Sequence, residues 1–255
     1  MTKLFLTTAL AAIALVGATT AAPAKDAKRT HTSGRFMLDL NRAVASDNRP
    51  TEDKARDAVR KPAELLALLD LKPGAKVADF IMGGGYWTRI LSNAVGPTGK
   101  VYAYQPGEFI QFRAAYGTEQ DAAVAGRANV VAQRDSLRAV AWPEPLDAIV
   151  TVQNWHDLHL NIVPPAFAGD VAKRLFAALK PGGVLLVVDH VGAAGQADSL
   201  HRGDPAGTKA EIEAAGFKLD GESKLYANAG DPHTALVFTM RGKTDQFVYR
   251  FRKPR

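Results

Sequence analysis

The chain has 255 residues, of which 32 are Lys or Arg and 26 are Asp or Glu, giving a formal net charge of +6. It has no cysteine, which excludes disulfides, thiolate metal sites and cysteine nucleophiles. The basic residues are scattered apart from Arg250, Arg252, Lys253 and Arg255 near the end, so the sequence lacks the focused patch that a nucleic-acid or membrane-surface partner needs.

In chain order, Lys3 is a lone charge ahead of an apolar run from Leu4 to Val16, followed by small residues from Ala18 to Ala24. A basic start, a short apolar core and a small-residue end make the pattern of a secretory signal. The run is shorter than the roughly 20 apolar residues of a membrane anchor. Ala22-Pro23-Ala24 fits the cleavage site, with Thr20-Ala21-Ala22 as a second option. The expectation is an exported protein, periplasmic or secreted, with a signal over residues 1–24 and no membrane attachment after cleavage. Loss of Lys3 leaves a net charge of +5. Residues 25–255 are then long enough for one domain with its own core.

Residues 25–34 are polar and read as a tether. A short helix is expected over 35–44, interrupted by Asn48-Arg49-Pro50, with Thr51 as the N-cap of a charged helical turn. Pro62 begins another helix, which Lys72-Pro73-Gly74 stops. Strand and helix signals then alternate. Strands are expected at 76–81, 100–104, 129–132, 146–152 and 184–189, and helices at 86–95, 108–126 and 164–179. A helix at 207–215 leads into 217–219, and two more strands are expected at 235–240 and 246–251. Apolar strands separated by helices of this length predict an α/β fold with a doubly wound, mostly parallel sheet. Ligands of such sheets lie beyond the carboxyl ends of the strands, where strand order reverses.

At that edge the first strand ends in Asp79-Phe80-Ile81-Met82-Gly83-Gly84-Gly85-Tyr86-Trp87-Thr88. Glycines between a strand and a helix permit close backbone approach to a ligand, and the helix N-terminus behind them offers free N–H groups. Together with Pro73-Gly74-x-x-Val77-x-Asp79 and Lys180-Pro181-Gly182-Gly183, this segment resembles the first motif and fifth-strand entry of class I S-adenosylmethionine (SAM) methyltransferases. A closer resemblance is to an exported group of methyltransferase-like proteins. It is carried by Arg60-Lys61-Pro62-Ala63-Glu64, Asn154-x-His156-Asp157, Asp189-His190, Leu200-His201-Arg202, Glu213-Ala214-Ala215-Gly216-Phe217 and Gly242-Lys243-Thr244-Asp245-x-Phe247. The resemblance implies a Rossmann-like, seven-stranded sheet with one antiparallel strand in the last pair, and SAM as cofactor. It places Asp79 near the methionine end of SAM, Met82, Gly83, Gly84 and Gly85 along the cofactor, Asp135 and Ser136 near the adenine and Asn154 beside the sulfonium. Two positions depart from the pattern. Ile81 stands where glycine is usual, and its branched side chain disfavours positive φ. Gln105 stands where an acid usually holds the ribose hydroxyls, and an uncharged acceptor makes a weaker bond.

Of six histidines, His156, His159, His190 and His201 fall on loops at one edge of the sheet. Histidine beside carboxylate suits acid–base chemistry, so His156, Asp157, His190 and His201 are the candidate catalytic residues. The glycine-rich loop 191–206 reads as a lid over the opening, with Arg202 on it as a holder of an anionic substrate group. Three functions fit. The first is a SAM-dependent methyltransferase acting on a small molecule, with His156 or His190 as base. The alternative is a repurposed binding protein of the same fold that no longer uses SAM. The third is a metal-dependent site at the histidines, for which no ligand spacing matches a known pattern and no metal ligand is assigned. The methyl acceptor and the oligomeric state are left open by the sequence.

Overall fold

The structure is a computed structural model that describes residues 39–255; the signal and tether readings lie outside the described residues. Helical residues 39–45 (α1) precede three short helices, α2 (Thr51–Lys54), α3 (Asp57–Arg60) and α4 (Pro62–Ala67). Then follow β1 (Lys76–Phe80), α5 (Tyr86–Val95), β2 (Lys100–Tyr104), α6 (Gly107–Phe112), α7 (Ala115–Val124), β3 (Val130–Gln133) and β4 (Leu146–Val152). A single 3-10 turn spans His156–His159. After it come α8 (Phe167–Ala178), β5 (Leu179–His190), α9 (Ala197–Leu200), α10 (Pro205–Ala214), β6 (Lys218–Ser223) and β7 (Gln246–Arg252).

The seven strands form one sheet in the order β3-β2-β1-β4-β5-β7-β6. Pairing is parallel from β3 to β5, whereas β7 lies antiparallel between β5 and β6. Successive side chains of a strand point to opposite faces, so each strand feeds two cores. Ala78, Phe80, Tyr102, Tyr104, Ile149, Leu185 and Val187 pack with Val171 and Leu175 of α8 and Ile212 of α10. Val77, Val101, Ala148, Val150, Leu186 and Val188 pack with Leu65 and Leu66 of α4 and Ile90 and Leu91 of α5. Both faces are covered, which is why these strands read as unbroken apolar runs. Order reverses between β1 and β4, so the loops after β1 and β4 open side by side.

Four local expectations are corrected. Pro50, not Thr51, is the N-cap of α2, and no side chain caps that helix. The 108–126 helix breaks at Arg113, which is extended (φ −141°), into α6 and α7. Residues 235–240 form no strand; they make a single 3-10 turn at Val237–Thr239, with Val237 buried and Phe238 exposed. Instead, β6 is the polar Lys218–Ser223. It is an edge strand covered on one face only, and alternating burial leaves no apolar run in the sequence.

Candidate functional site

The turn after β1 collects groups from three strands. Met82 N–H donates to the Tyr104 carbonyl at 3.0 Å, tying the turn to the end of β2. Met82 itself is buried and packs with Ala103 and Ala123, so its side chain supports the turn from below. Gln105, fully buried, accepts the Gly83 N–H at Oε1 (3.0 Å), and its Nε2 is buried with no partner among the described residues. Asn154, just past β4, donates Nδ2 to the Ile81 carbonyl (2.9 Å) and to the Val152 carbonyl (2.8 Å). Asp79 accepts from Thr88 Oγ1 at 2.6 Å. Burial pushes its carboxyl up to about 6, with the Thr88 hydrogen bonds and the positive Arg60 and Arg89 opposing.

Ile81 adopts φ +62°, the left-handed conformation that its branched side chain was expected to resist. The side chain belongs to a buried cluster, and burying an Ile gains about 1.5–3 kcal/mol against about 1–2 kcal/mol of left-handed strain. The turn therefore adopts a left-handed conformation at Ile81 without a glycine there. A Cβ added at Gly83 (φ +56°) would meet nothing within 4 Å, whereas one added at Gly85 (φ +81°) would lie 2.3 Å from the Ala123 Cβ. Gly83 is thus open for a ligand, and Gly85 is required by the packing of α5 on α7. Gly84 borders a cleft on the α7 side with Arg89, Glu119 and Arg127. Asp135 lies next to the end of β2, where its carbonyl accepts from Tyr104 Oη (2.9 Å) and its carboxylate from Gln133 Nε2 (2.7 Å). Ser136 Oγ is engaged by Glu108.

The four proposed catalytic residues come together from the turn after β4, the end of β5 and the loop that follows it. His156 Nδ1 donates to Asp189 Oδ1 at 2.8 Å, and the His156 N–H donates to Asp189 Oδ2 at 2.7 Å. The His190 N–H completes the Asp189 carboxylate at 2.8 Å. Asp189, wholly buried at the end of β5, is the organising residue that the sequence reading left out of its site. Its signal was the one acid closing an otherwise apolar strand. His156 Nε2 lies 3.4 Å from Asp157 Oδ1, and His201 Nδ1 lies 3.9 Å from the same oxygen. The His201 and His190 rings are centred 5.4 Å and 6.1 Å from that of His156. His190 Nδ1 bonds Thr244 Oγ1 (2.8 Å), and His159 instead pairs with Glu211 (3.3 Å).

Burial works against the charged form of His156, but the Asp189 carboxylate outweighs it and holds the imidazole well above its ordinary pKa. The same pairing holds Asp189 low despite its burial. Burial drives His190 down to about 4, with Asp189 opposing, so it is neutral. Burial raises Asp157 to about 6, with His156 opposing.

The lid reading of 191–206 is also corrected. Gly203 bridges Val191, the Val191 N–H donates to the Asp245 carbonyl (2.9 Å), and the Asn161 N–H to Asp198 (2.8 Å). Arg202 points inward: it is buried and bonded to both Asp231 oxygens, at 2.8 and 3.1 Å, and to the Val191 and Ala235 carbonyls. A guanidinium so engaged has no face left for a substrate anion.

No family model matches the chain. It is 29% identical over 126 residues to demethylmenaquinone methyltransferase of Bacillus cytotoxicus, which covers 49% of this chain and 49% of that relative; the match spans about half the length of each. Among solved structures, a SAM-dependent methyltransferase of Aquifex aeolicus aligns with TM-score 0.54 and 20% identity, covering 80% of this chain and 98% of that one. Human N-acetylserotonin methyltransferase, solved with SAM, aligns with TM-score 0.54 and 15% identity over 92% of this chain and 60% of that one. With the strand order above, these likenesses establish that the chain has the fold of class I SAM-dependent methyltransferases.

Proposed function

We propose that the protein is a SAM-dependent methyltransferase acting on a small molecule. The observation that carries this reading is the state of Gln105. Its carboxamide is fixed at the glycine turn through Gly83, at the strand end where this fold holds a ribose, and its Nε2 is a buried donor without a partner. Such a group costs about 1–3 kcal/mol unless a ligand supplies the acceptor. Gly83 leaves open space above the turn. Arg60 stands over the rings of Tyr86 and Trp87, at 4.7 and 5.9 Å, and has no carboxylate at ion-pair distance among the described residues. It is placed to hold the carboxylate of the methionine moiety. The residues present thus fit SAM, with Gln105 in the role usually taken by an acid. Bound SAM supplies an electrophilic methyl group; the chain's contribution is positioning, with Asn154 fixed between the β1 and β4 ends beside it.

Calorimetry with SAM tests this. Binding is expected in the natural protein, and Gln105→Glu, which keeps the acceptor for Gly83 and adds a charged one in place of Nε2, is expected to tighten it about 5- to 10-fold, the difference between neutral and charged hydrogen bonds. Absence of SAM binding in both proteins would overturn the proposal. We further propose that the protein is exported, on the strength of the pattern in residues 1–24; the N-terminus of the mature chain is its test.

A further inference from the structure

We propose that His156, Asp157 and His201 form a binding site for a divalent transition-metal ion of the zinc class, on the loops that follow β4 and β5. One ligand atom from each, two imidazole nitrogens and a carboxylate oxygen, lies within 4.8 Å of the others. The His156–Asp157 and Asp157–His201 separations are 3.4 and 3.9 Å. Ligands about 2.1 Å from a tetrahedral metal lie about 3.4 Å apart, so these two separations already suit a shared ion, and the two imidazole nitrogens, within 4.8 Å of each other, need to close by at most about 1.4 Å through side-chain rotation.

Three independent features distinguish this group from an ordinary polar cluster. First, among the described residues, no hydrogen bond engages His156 Nε2, the Asp157 carboxylate or His201 Nδ1; their remaining partners are one another. His156 is at the same time 4% exposed. Second, Asp189 accepts from His156 Nδ1 at 2.8 Å and is itself saturated by two backbone N–H groups. That arrangement keeps the proton on Nδ1, so that Nε2 is the nitrogen that takes a metal in exchange for its own proton, as carboxylates behind metal-bound histidines arrange. Third, the His201 ring is held by Phe238, 4.7 Å away between ring centres, which makes one apolar wall of the site. Two imidazoles and a single carboxylate favour zinc or iron over magnesium or calcium, which prefer all-oxygen sets. Three protein ligands leave a coordination position for water or a substrate atom. The site does not depend on the methyltransferase reading, and metal binding is measurable without SAM.

The test uses the full chain, stripped with a chelator and titrated with Zn2+ by calorimetry and with Co2+ by its visible d–d absorption. One equivalent is expected to bind, with absorption diagnostic of nitrogen and oxygen ligands. His201→Ala and Asp157→Ala are each expected to weaken Zn2+ binding at least 10-fold, and Asp189→Asn, through loss of the supporting carboxylate, about 10- to 100-fold. His201 is half-exposed and its loss should leave the fold intact, as circular dichroism will show. His233→Ala, which removes a histidine paired elsewhere with Asp245, is expected to change nothing. Failure to bind one equivalent, binding undiminished in folded His201→Ala, or binding lost in His233→Ala would each overturn the site.

Discussion

Arg202 and Asp231 show how a charged pair can be a core element. Both side chains are wholly shielded from solvent, and Asp231 also accepts the N–H groups of His233 and Asp245 at 3.0 and 2.7 Å. Burial alone would raise the Asp231 pKa, but the Arg202 hydrogen bonds and those backbone donors bring it down to about 2. A folded-state value below the unfolded one, near 3.9, means that the carboxylate contributes stability above about pH 4, and that this contribution is lost as pH falls towards 2. The stability gap between the natural protein and Asp231→Asn, measured by urea denaturation, is therefore expected to be largest at pH 5 and above and to shrink between pH 4 and 2. Arg202→Ala at neutral pH is expected to cost about 3–5 kcal/mol, because it strands a buried charge. A gap independent of pH would refute this account. Arg202 read as a substrate-holding residue in the sequence because its partner lies 29 residues away on another loop, and nothing local signals that the two meet.

At the scale of elements, the junction of β1 and α5 depends on one glycine more than on its neighbours. Gly85 is the N-cap of α5 at φ +81°, and any Cβ there would collide with Ala123 of α7 and approach the Met82 methyl at 3.1 Å. Gly85→Ala combines overpacking, about 1–3 kcal/mol, with left-handed strain of about 1–2 kcal/mol, so a loss of about 2–5 kcal/mol is expected in chemical denaturation. Gly83→Ala, in open space, is expected to cost only the strain. Equal effects would show that the contact does not govern the junction. The glycine turn was legible because it joins an apolar strand to a helix, and so were the parallel strands, since coverage on both faces leaves continuous apolar runs. The difference between three adjacent glycines was not, because it depends on how close α7 approaches. Nor was β6, whose one packed face leaves a polar sequence, whereas residues 235–240 are apolar yet serve only to seat Val237 and to set Phe238 against His201. The histidine cluster was legible as a loop coincidence; its organisation by Asp189 required the pairing of β4 with β5.

For the whole molecule, the export proposal makes a definite demand on the N-terminus. Intact-mass measurement on protein recovered from outside the cytosol is expected to show a chain starting at Lys25 or Pro23. A chain that stays inside and retains Met1 would remove that proposal and leave the fold and site readings untouched. The sheet adds a constraint of its own. β7 follows every other strand in the chain, yet it is hydrogen-bonded on both sides, along β5 from Val184 to His190 and along β6 from Lys218 to Ser223. While the chain emerges from the ribosome, β5 has a bare edge and β6 has no strand to pair with until the segment around Gln246–Arg252 is released. Native closure thus waits for β7, and because its pairing with β5 is non-local it is correspondingly slow.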